Sequence, residues 1–284
     1  MTNVVACIDG SSTSPAVCEY AAWASKQLDA PLQFLHVLDK TETPAPANLS
    51  GSIGLGSREA LLSELTELDE KRGKILLEHG RHMLEAAKEI AVNNGVSQIT
   101  CKQRRGDLVD TLKELEPEIR LLVVGKQGED GDSLGDHIGN NLERVVRTMH
   151  RPILVSPHDF RQPQSFMIAY DGSATTRKGI EMVASSPLFK GLPCHIVMVG
   201  TATNDMNAHL DWARKILEVA GFSVVTEIIA GEVKHVLCDY RDQYDIGMVV
   251  MGAYGHSKIR QFLVGSTTTK MIQHTSKVPL LLLR

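Results

Sequence analysis

Apolar residues along the first half of the chain alternate between two patterns. Apolar runs occur at residues 4–8, 121–124 and 152–155, and a mostly apolar one, broken by Gln33 and His36, at 32–38. Their length suits strands buried on both faces of a sheet. Between the first two runs, Ser14-Pro15 reads as a helix start, with the serine as cap and the proline in the first turn. Val17, Tyr20, Ala21, Ala24 and Leu28 then follow at helical spacing. Strand, helix, strand in that order predicts a parallel βαβ unit. Residues 41–56 are rich in Pro, Ala, Ser and Gly and read as a surface loop. Gly51, Gly54 and Gly56 follow no strand and lack dinucleotide spacing, so they carry no fingerprint. A long helix is expected from about Glu59 to Val92, with Leu61, Leu62, Leu65, Leu68, Ile75, Leu76, Met83, Leu84, Ala87 and Ile90 at three- and four-residue steps. Asn93-Asn94-Gly95 ends it. A strand near residues 97–103, a helix over 107–115 and a helix near 140–149 complete the set.

After a polar stretch at residues 158–164 the plan repeats. Asp171-Gly172-Ser173 matches Asp9-Gly10-Ser11, each behind an apolar run. The strand at 193–199 answers the second strand, Leu210, Ala213, Leu217 and Ala220 mark a helix, and a strand follows at 222–229. Ala230-Gly231-Glu232 answers Arg105-Gly106-Asp107, and a helix with Val233, Val236, Leu237 and Tyr240 follows. Residues 248–252 and 278–283 answer 122–125 and 151–155. Matches in one order along both halves indicate an internal duplication. The fold class expected is α/β, as two tandem doubly wound (Rossmann-like) domains at 1–157 and 165–284. Each should hold a five-stranded, mainly parallel sheet flanked by helices.

The chemistry concentrates after the run at 246–252. Gly252 and Gly255 are separated by two residues, and nine more lead to Gly265-Ser266-Thr267-Thr268. Glycine lets backbone approach a ligand closely. A helix start behind it offers unpaired N–H groups and a positive dipole end to an anion. The stretch therefore reads as a phosphate cradle. A competing reading makes the glycines turn residues and Ser266 a helix cap. Likewise Asp171 could serve only its own turn, and His256, Lys258 and Arg260 could be solvated loop residues.

On these residues the chain resembles a tandem universal stress protein, two UspA-type domains fused, over nearly its whole length. ATP-binding members of that family carry the glycine spacing of Gly252, Gly255 and Gly265-Ser266. The resemblance implies that Ala169 and Val199 line the adenine side and that Met251 and Gly252 approach the nucleoside. It places Asp171 near the ribose or a magnesium-bound phosphate, with Gly255, Gly265, Ser266, Thr267 and Thr268 holding phosphates. The implied ligand is ATP, or AMP or ADP, with Mg. The resemblance also implies that the final strands of the halves, 152–155 and 280–283, pair antiparallel within one chain as a pseudo-dimer. Whether two chains associate further as a homodimer is left open.

The first half departs from this pattern. Ten residues rather than nine separate Gly128 from Gly139, and Asn140 stands in place of the hydroxyl residue. Glu129, Asp130, Asp132 and Asp136 would repel phosphate, only partly offset by Lys126 and His137. The expectation is one working site, in the second half, although a shifted loop using Gly135 is conceivable. Composition narrows the rest. A net charge of −4 and 5% aromatic residues argue against a nucleic-acid or anionic-membrane surface. No run is long enough to span a bilayer, and the N-terminus lacks a secretory n-region, so a cytoplasmic location is expected. Cys7, Cys18, Cys101, Cys194 and Cys238 show no redox or zinc spacing and read as buried reduced thiols. No Walker A lysine pattern, nucleophile elbow or zinc helix is present, so no catalytic residues are assigned and at most weak ATP hydrolysis is expected. The leading expectation is a nucleotide-binding stress-response protein that acts through conformation or an unknown protein partner. The alternatives are a slow Mg-dependent ATPase, or a protein- or apolar-ligand-binding module with a vestigial nucleotide site.

Overall fold

Parallel strands that bury both faces need helices above and below them. The chain supplies both layers twice. The structure, a computed structural model, describes residues 2–38, 55–126, 140–252 and 277–283. In the first half these are β1 (Asn3–Cys7), α1 (Ser14–Leu28), β2 (Leu32–Leu38), α2 (Leu55–Asn93), β3 (Ile99–Arg105), α3 (Leu108–Leu115), β4 (Ile119–Gly125), α4 (Asn140–Thr148) and β5 (Ile153–Ser156). The second half contains β6 (Phe166–Ala169), α5 (Ala174–Ser185), β7 (Cys194–Val199), α6 (Asn204–Val219), β8 (Val224–Ile229), α7 (Val233–Gln243), β9 (Val249–Gly252) and β10 (Leu280–Leu283).

The described strands form one ten-stranded sheet in the order β3-β2-β1-β4-β5-β10-β9-β6-β7-β8. Each half contributes five strands, parallel among themselves. The halves join where β5 and β10 pair antiparallel, Leu281 opposite Leu154 and Leu282 opposite Ile153. The expected meeting of the two final strands is therefore present, and it makes one sheet of the two. Two apolar layers cover it. One lies under α1, α2, α5 and α6 and the other under α3, α4 and α7, and each runs across the join.

The stretch between the halves is pinned. The Tyr20 hydroxyl on α1 donates to Arg161 O at 3.1 Å and accepts from Arg161 N at 3.2 Å, and the Tyr20 ring meets Phe160 edge-on at 4.7 Å. Burial, opposed by the Arg161 contacts, pushes the Tyr20 phenol up to about 12, so it keeps its proton across the physiological range.

Several local expectations change. Ser14 is the first residue of α1 rather than its cap. Thr13 occupies the cap position in helical conformation without a side-chain cap bond. The Ser14 hydroxyl is drawn instead to Asp9 Oδ1 at 3.2 Å, because the turn ahead of the helix is built around that carboxylate. α2 begins at Leu55, so Gly56 lies in the helix and not in the loop expected over 41–56; residues 41–54 are outside the described residues. Ala220 is an exposed C-cap and not part of the α6 stripe, which is Leu210, Ala213 and Leu217. β3 and β8 each start two residues later than expected, at Ile99 and Val224. The five cysteines are free thiols, but only Cys18 and Cys194 are buried and Cys101 is exposed.

Leu154 and Leu281 are both buried at the β5–β10 join. Leu154→Ala should cost about 2–5 kcal/mol by removing apolar contact and leaving a cavity shared by both halves. Denaturant unfolding should show both halves losing stability together. Independent unfolding of the second half at an unchanged midpoint would contradict this account of the join.

Candidate functional site

Strand order reverses between β1 and β4 in the first half, and between β6 and β9 in the second. In open α/β sheets such a switch leaves a crevice beyond the carboxyl ends of the two strands. Ala169 and Met251 are register partners on β6 and β9 at this end. Both are buried, and half-buried Val199 ends β7 next to them. All three lie on the sheet face covered by Leu237 and Tyr240 of α7. The sequence separates these residues by up to 82 positions, and the parallel pairing brings them into one apolar wall.

Gly252 follows Met251 and, by the alternation of a strand, its missing side chain faces the other way. A Cβ there would lie 3.3 Å from Thr176 Cγ2 and 3.4 Å from Thr175 Cγ2. The glycine therefore lets the end of β9 sit close against the first turn of α5. That turn is capped by Ser173, whose hydroxyl accepts from Thr176 N at 3.3 Å.

Asp171 organises the connection from β6 to α5. Its Oδ1 accepts from Ser173 N at 3.0 Å and from the Thr176 hydroxyl at 2.7 Å. The first half repeats this arrangement: Asp9 Oδ1 accepts from Ser11 N at 3.0 Å and from the Ser14 hydroxyl at 3.2 Å. In both halves the hydroxyl stands five residues after the aspartate. That shared offset was legible in the aligned repeat, yet Thr176 was not among the residues singled out from sequence. Gly10 and Gly172 follow the aspartates with φ of +80° and +74°, a conformation that favours glycine. Each is overlaid by a helix, Gly10 by Met83 and His79 of α2 and Gly172 by His209 of α6. Arg177 Nε donates to Gly172 O at 3.3 Å, and its guanidinium lies 5.2 Å from the Trp212 ring centre. Nothing local in the sequence marked His209, Arg177 or Trp212, because their approach depends on how α6 lies across α5.

Of the residues expected at the site, Ala169, Asp171, Val199, Met251 and Gly252 lie together around the carboxyl ends of β6, β7 and β9. Gly255, Gly265, Ser266, Thr267 and Thr268 lie outside the described residues, as do His256, Lys258 and Arg260. In the first half Gly125 ends β4 and is followed by Lys126, whose side chain is buried and whose N–H donates to Ser156 O at 3.1 Å. The acidic stretch from Glu129 to Asp136, with Gly128, Gly135, His137 and Gly139, is outside the described residues. Cys7, the counterpart of Ala169, is pushed up to about 12 by burial and then by Asp9, so it is a thiol and not a nucleophile at neutral pH.

Beneath the apolar wall, α7 is tied to β7 by a polar contact: His195 Nδ1 lies 2.9 Å from the Tyr240 hydroxyl, and the Tyr240 and Tyr244 rings meet at a tilt of 35° with centres 4.4 Å apart. Burial lowers the His195 pKa. Burial first, then Tyr244 and Glu227, pushes Tyr240 up to about 12. Among the described residues no group of three or more His, Cys, Asp or Glu side chains could hold a metal ion. No helix among them is long and apolar enough to cross a membrane.

A doubly wound sheet with a crevice at each reversal, used twice and joined edge to edge, defines the class of protein. The universal stress protein family model matches residues 1–157 and 164–284. A universal stress protein of Synechocystis sp. is 35% identical over 288 aligned positions, covering all of both chains. The chain belongs to the universal stress protein family. Its fold is similar to the crystal structure of a universal stress protein from Archaeoglobus fulgidus, with a TM-score of 0.67 and 18% identity over 99% of this chain and 96% of that one. A Pseudomonas aeruginosa protein described as functionally unknown matches with a TM-score of 0.58 and 13% identity, covering 100% and 92% of the two chains.

Two outcomes follow from the local contacts. Thr176→Val should cost about 1–2 kcal/mol, since it leaves a partly buried carboxylate one donor short. Thr176→Ser should restore most of this in denaturant unfolding. For His195, unfolded chains take up a proton near 6.5 while the folded chain resists it, so the unfolded state binds more protons as acid is added. Stability should fall as pH drops below about 6.5. His195→Gln should make this acid limb shallower, as read by melting curves across that window.

Proposed function

We propose that the second half binds an adenine nucleotide at the carboxyl ends of β6 and β9, and that the protein works in stress response by changing conformation or partner when that site fills. The observation that carries the reading is the register pairing of Ala169 with Met251 at the strand-order reversal. It sets an apolar wall directly ahead of the Gly252, Gly255, Gly265-Ser266 spacing. Ala169, Val199 and Met251 have the apolar character that suits a base. Ser266, Thr267 and Thr268, with Gly255 and Gly265, supply hydroxyls and close backbone for phosphates.

The donor set fits a nucleotide better than it fits a protein-held metal. Asp171 is the carboxylate nearest the crevice in sequence terms, and its Oδ1 already serves two donors. Magnesium would therefore be carried mainly by the phosphates, with Asp171 as a single protein ligand or a partner of the ribose. ATP is the ligand we favour because of the length of the hydroxyl-bearing stretch. The first half, with buried Lys126 after its strand-end glycine and its acidic stretch, is proposed to leave its crevice without nucleotide.

Calorimetric titration of nucleotide-stripped protein with ATP and Mg tests this. One site per chain is expected, lost in Gly265→Val. Two sites would overturn the reading of the first half, and none would overturn nucleotide binding. Phosphate release measured alongside should stay near background; sustained turnover abolished by Asp171→Ala would make the protein an ATPase instead.

A further inference from the structure

The antiparallel join turns the two halves end for end. The carboxyl ends of the second-half strands therefore lie beside the amino ends of β4 and β5. β9 and β10 run parallel with Gly252 opposite Leu283, and β10 meets β5 with Leu282 opposite Ile153. Continuing that register sets Pro152 opposite Leu283 and Arg151 level with the position after Gly252. β9 and β5 are two strands apart, about 10 Å. The face of the sheet is set as well. Ile153 belongs to the apolar layer that holds Ala169 and Met251, and Leu154 to the other layer. Arg151, two residues before Ile153, falls on the Ile153 side by strand alternation. Its contact agrees: Arg151 Nε donates to Glu116 O at 3.2 Å, and Glu116 follows Leu112 and Leu115 of α3 in that same layer.

Arg151 lines an open hollow with Lys113, Glu116, Pro117 and His150. The charges there are unevenly used. Lys113 Nζ lies 3.5 Å from Asp110 Oδ1. The Glu116 carboxylate accepts from His150 N at 2.5 Å and lies 3.5 Å from His150 Nδ1. Arg151 gives only its Nε, to a neutral carbonyl, which leaves both Nη groups for an oxyanion. One exposed arginine would be ordinary. The duplication makes this one different, because Arg151-Pro152 answers Val278-Pro279 in the repeat. Gly125 is opposite Ser156 and Leu280 is opposite Val155, so Val278 is level with the position after Gly125, again two strands away. Val278 thus stands to the first-half crevice as Arg151 stands to the second, and it packs on apolar residues. Lys277, the counterpart of His150, lies near Asp242, whose pKa Arg241 and then Lys277 lower. A guanidinium flanks the crevice whose strand leads into the phosphate-type glycine spacing, and a valine flanks the other.

We propose that Arg151, supplied by the first half, binds the terminal phosphates of the nucleotide held in the second half. The inference rests on the nucleotide reading above, which sets the base against Ala169, Val199 and Met251 and the phosphates beyond β9. The ligand class is a nucleoside di- or triphosphate, since a monophosphate ends short of β5. Filling the site then links the two halves across the β5–β10 join.

Calorimetric titration with ATP and with AMP, each with Mg, on the full chain and on Arg151→Ala and Arg151→Lys tests the proposal. Arg151→Ala should weaken ATP binding about tenfold and leave AMP binding unchanged. Arg151→Lys should recover part of the loss, because it keeps the charge but not the fork. ATP affinity should fall more steeply with salt in the wild type than in Arg151→Ala. The melting of ligand-free protein should not change, since the side chain is exposed. Unchanged ATP affinity in Arg151→Ala, or equal losses for ATP and AMP, overturns the proposal and leaves the nucleotide site standing. A wild-type chain that takes up neither ligand overturns the nucleotide reading and this inference with it.

Discussion

The antiparallel pairing of β5 with β10 is the contact on which the rest of the molecule depends. A five-stranded parallel sheet that ends in residues 153–156 or 280–283 has a short, buried and mostly apolar strand at its edge. Left alone, that edge would offer unpaired backbone groups to any passing strand. Pairing the two edges satisfies the backbone and lets Leu154 and Leu281 sit in one continuous layer with the helices of both halves. What remains at the outer edges is β3, with Lys102, Arg104 and Arg105, and β8, with Glu227. Charged side chains discourage further strand addition, so the sheet ends where its sequence turns polar.

The join also has a consequence for the crevices. With β5 and β10 fixed together, β4 and β9 are held from one side, and β1 and β6 from the other by βαβ packing. The wall formed by Ala169, Val199 and Met251 therefore rests on the same apolar layer as Leu237 and Tyr240, which His195 ties to β7. Asp171 and Asp9 play the same part on the other side of each crevice, turning the chain from strand to helix through one carboxylate oxygen. Duplication has kept this turn in both halves down to the offset of the hydroxyl, while the residues after Gly125 and Gly252 have diverged. Structural demand preserved the first feature in each copy. The second feature tracks the ligand chemistry proposed for only one of them.

Much of this was legible in the sequence. Both halves, the order of strands and helices and the Asp-Gly-Ser turns follow from apolar runs, punctuation and repetition, whereas the β5–β10 pairing was implied only by the family resemblance. The former are local signals, and local propensity and the tertiary fold agree on them. Ser14 was misread as a helix cap because serine before proline fits that role locally, whereas the nearby Asp9 carboxylate competes for its hydroxyl. The start of α2 was placed too late because Gly56 argues for loop on propensity alone.

What the sequence determined by itself is the architecture and the candidate chemistry: two doubly wound halves, with a glycine- and hydroxyl-rich stretch after the fourth strand of the second. Periodicity and turn residues suffice for that, since each acts over a few positions. The tertiary structure alone decided which distant groups meet. Thr175 and Thr176 close on Gly252, His209 covers Gly172, and Arg177 lies over Trp212 because helices cross at angles that no single segment encodes. It also decided which apolar residues of α2 are spent on the core. Leu84 and Leu68 lie on opposite sides of α2, so the one that faces the sheet is buried and the other faces solvent.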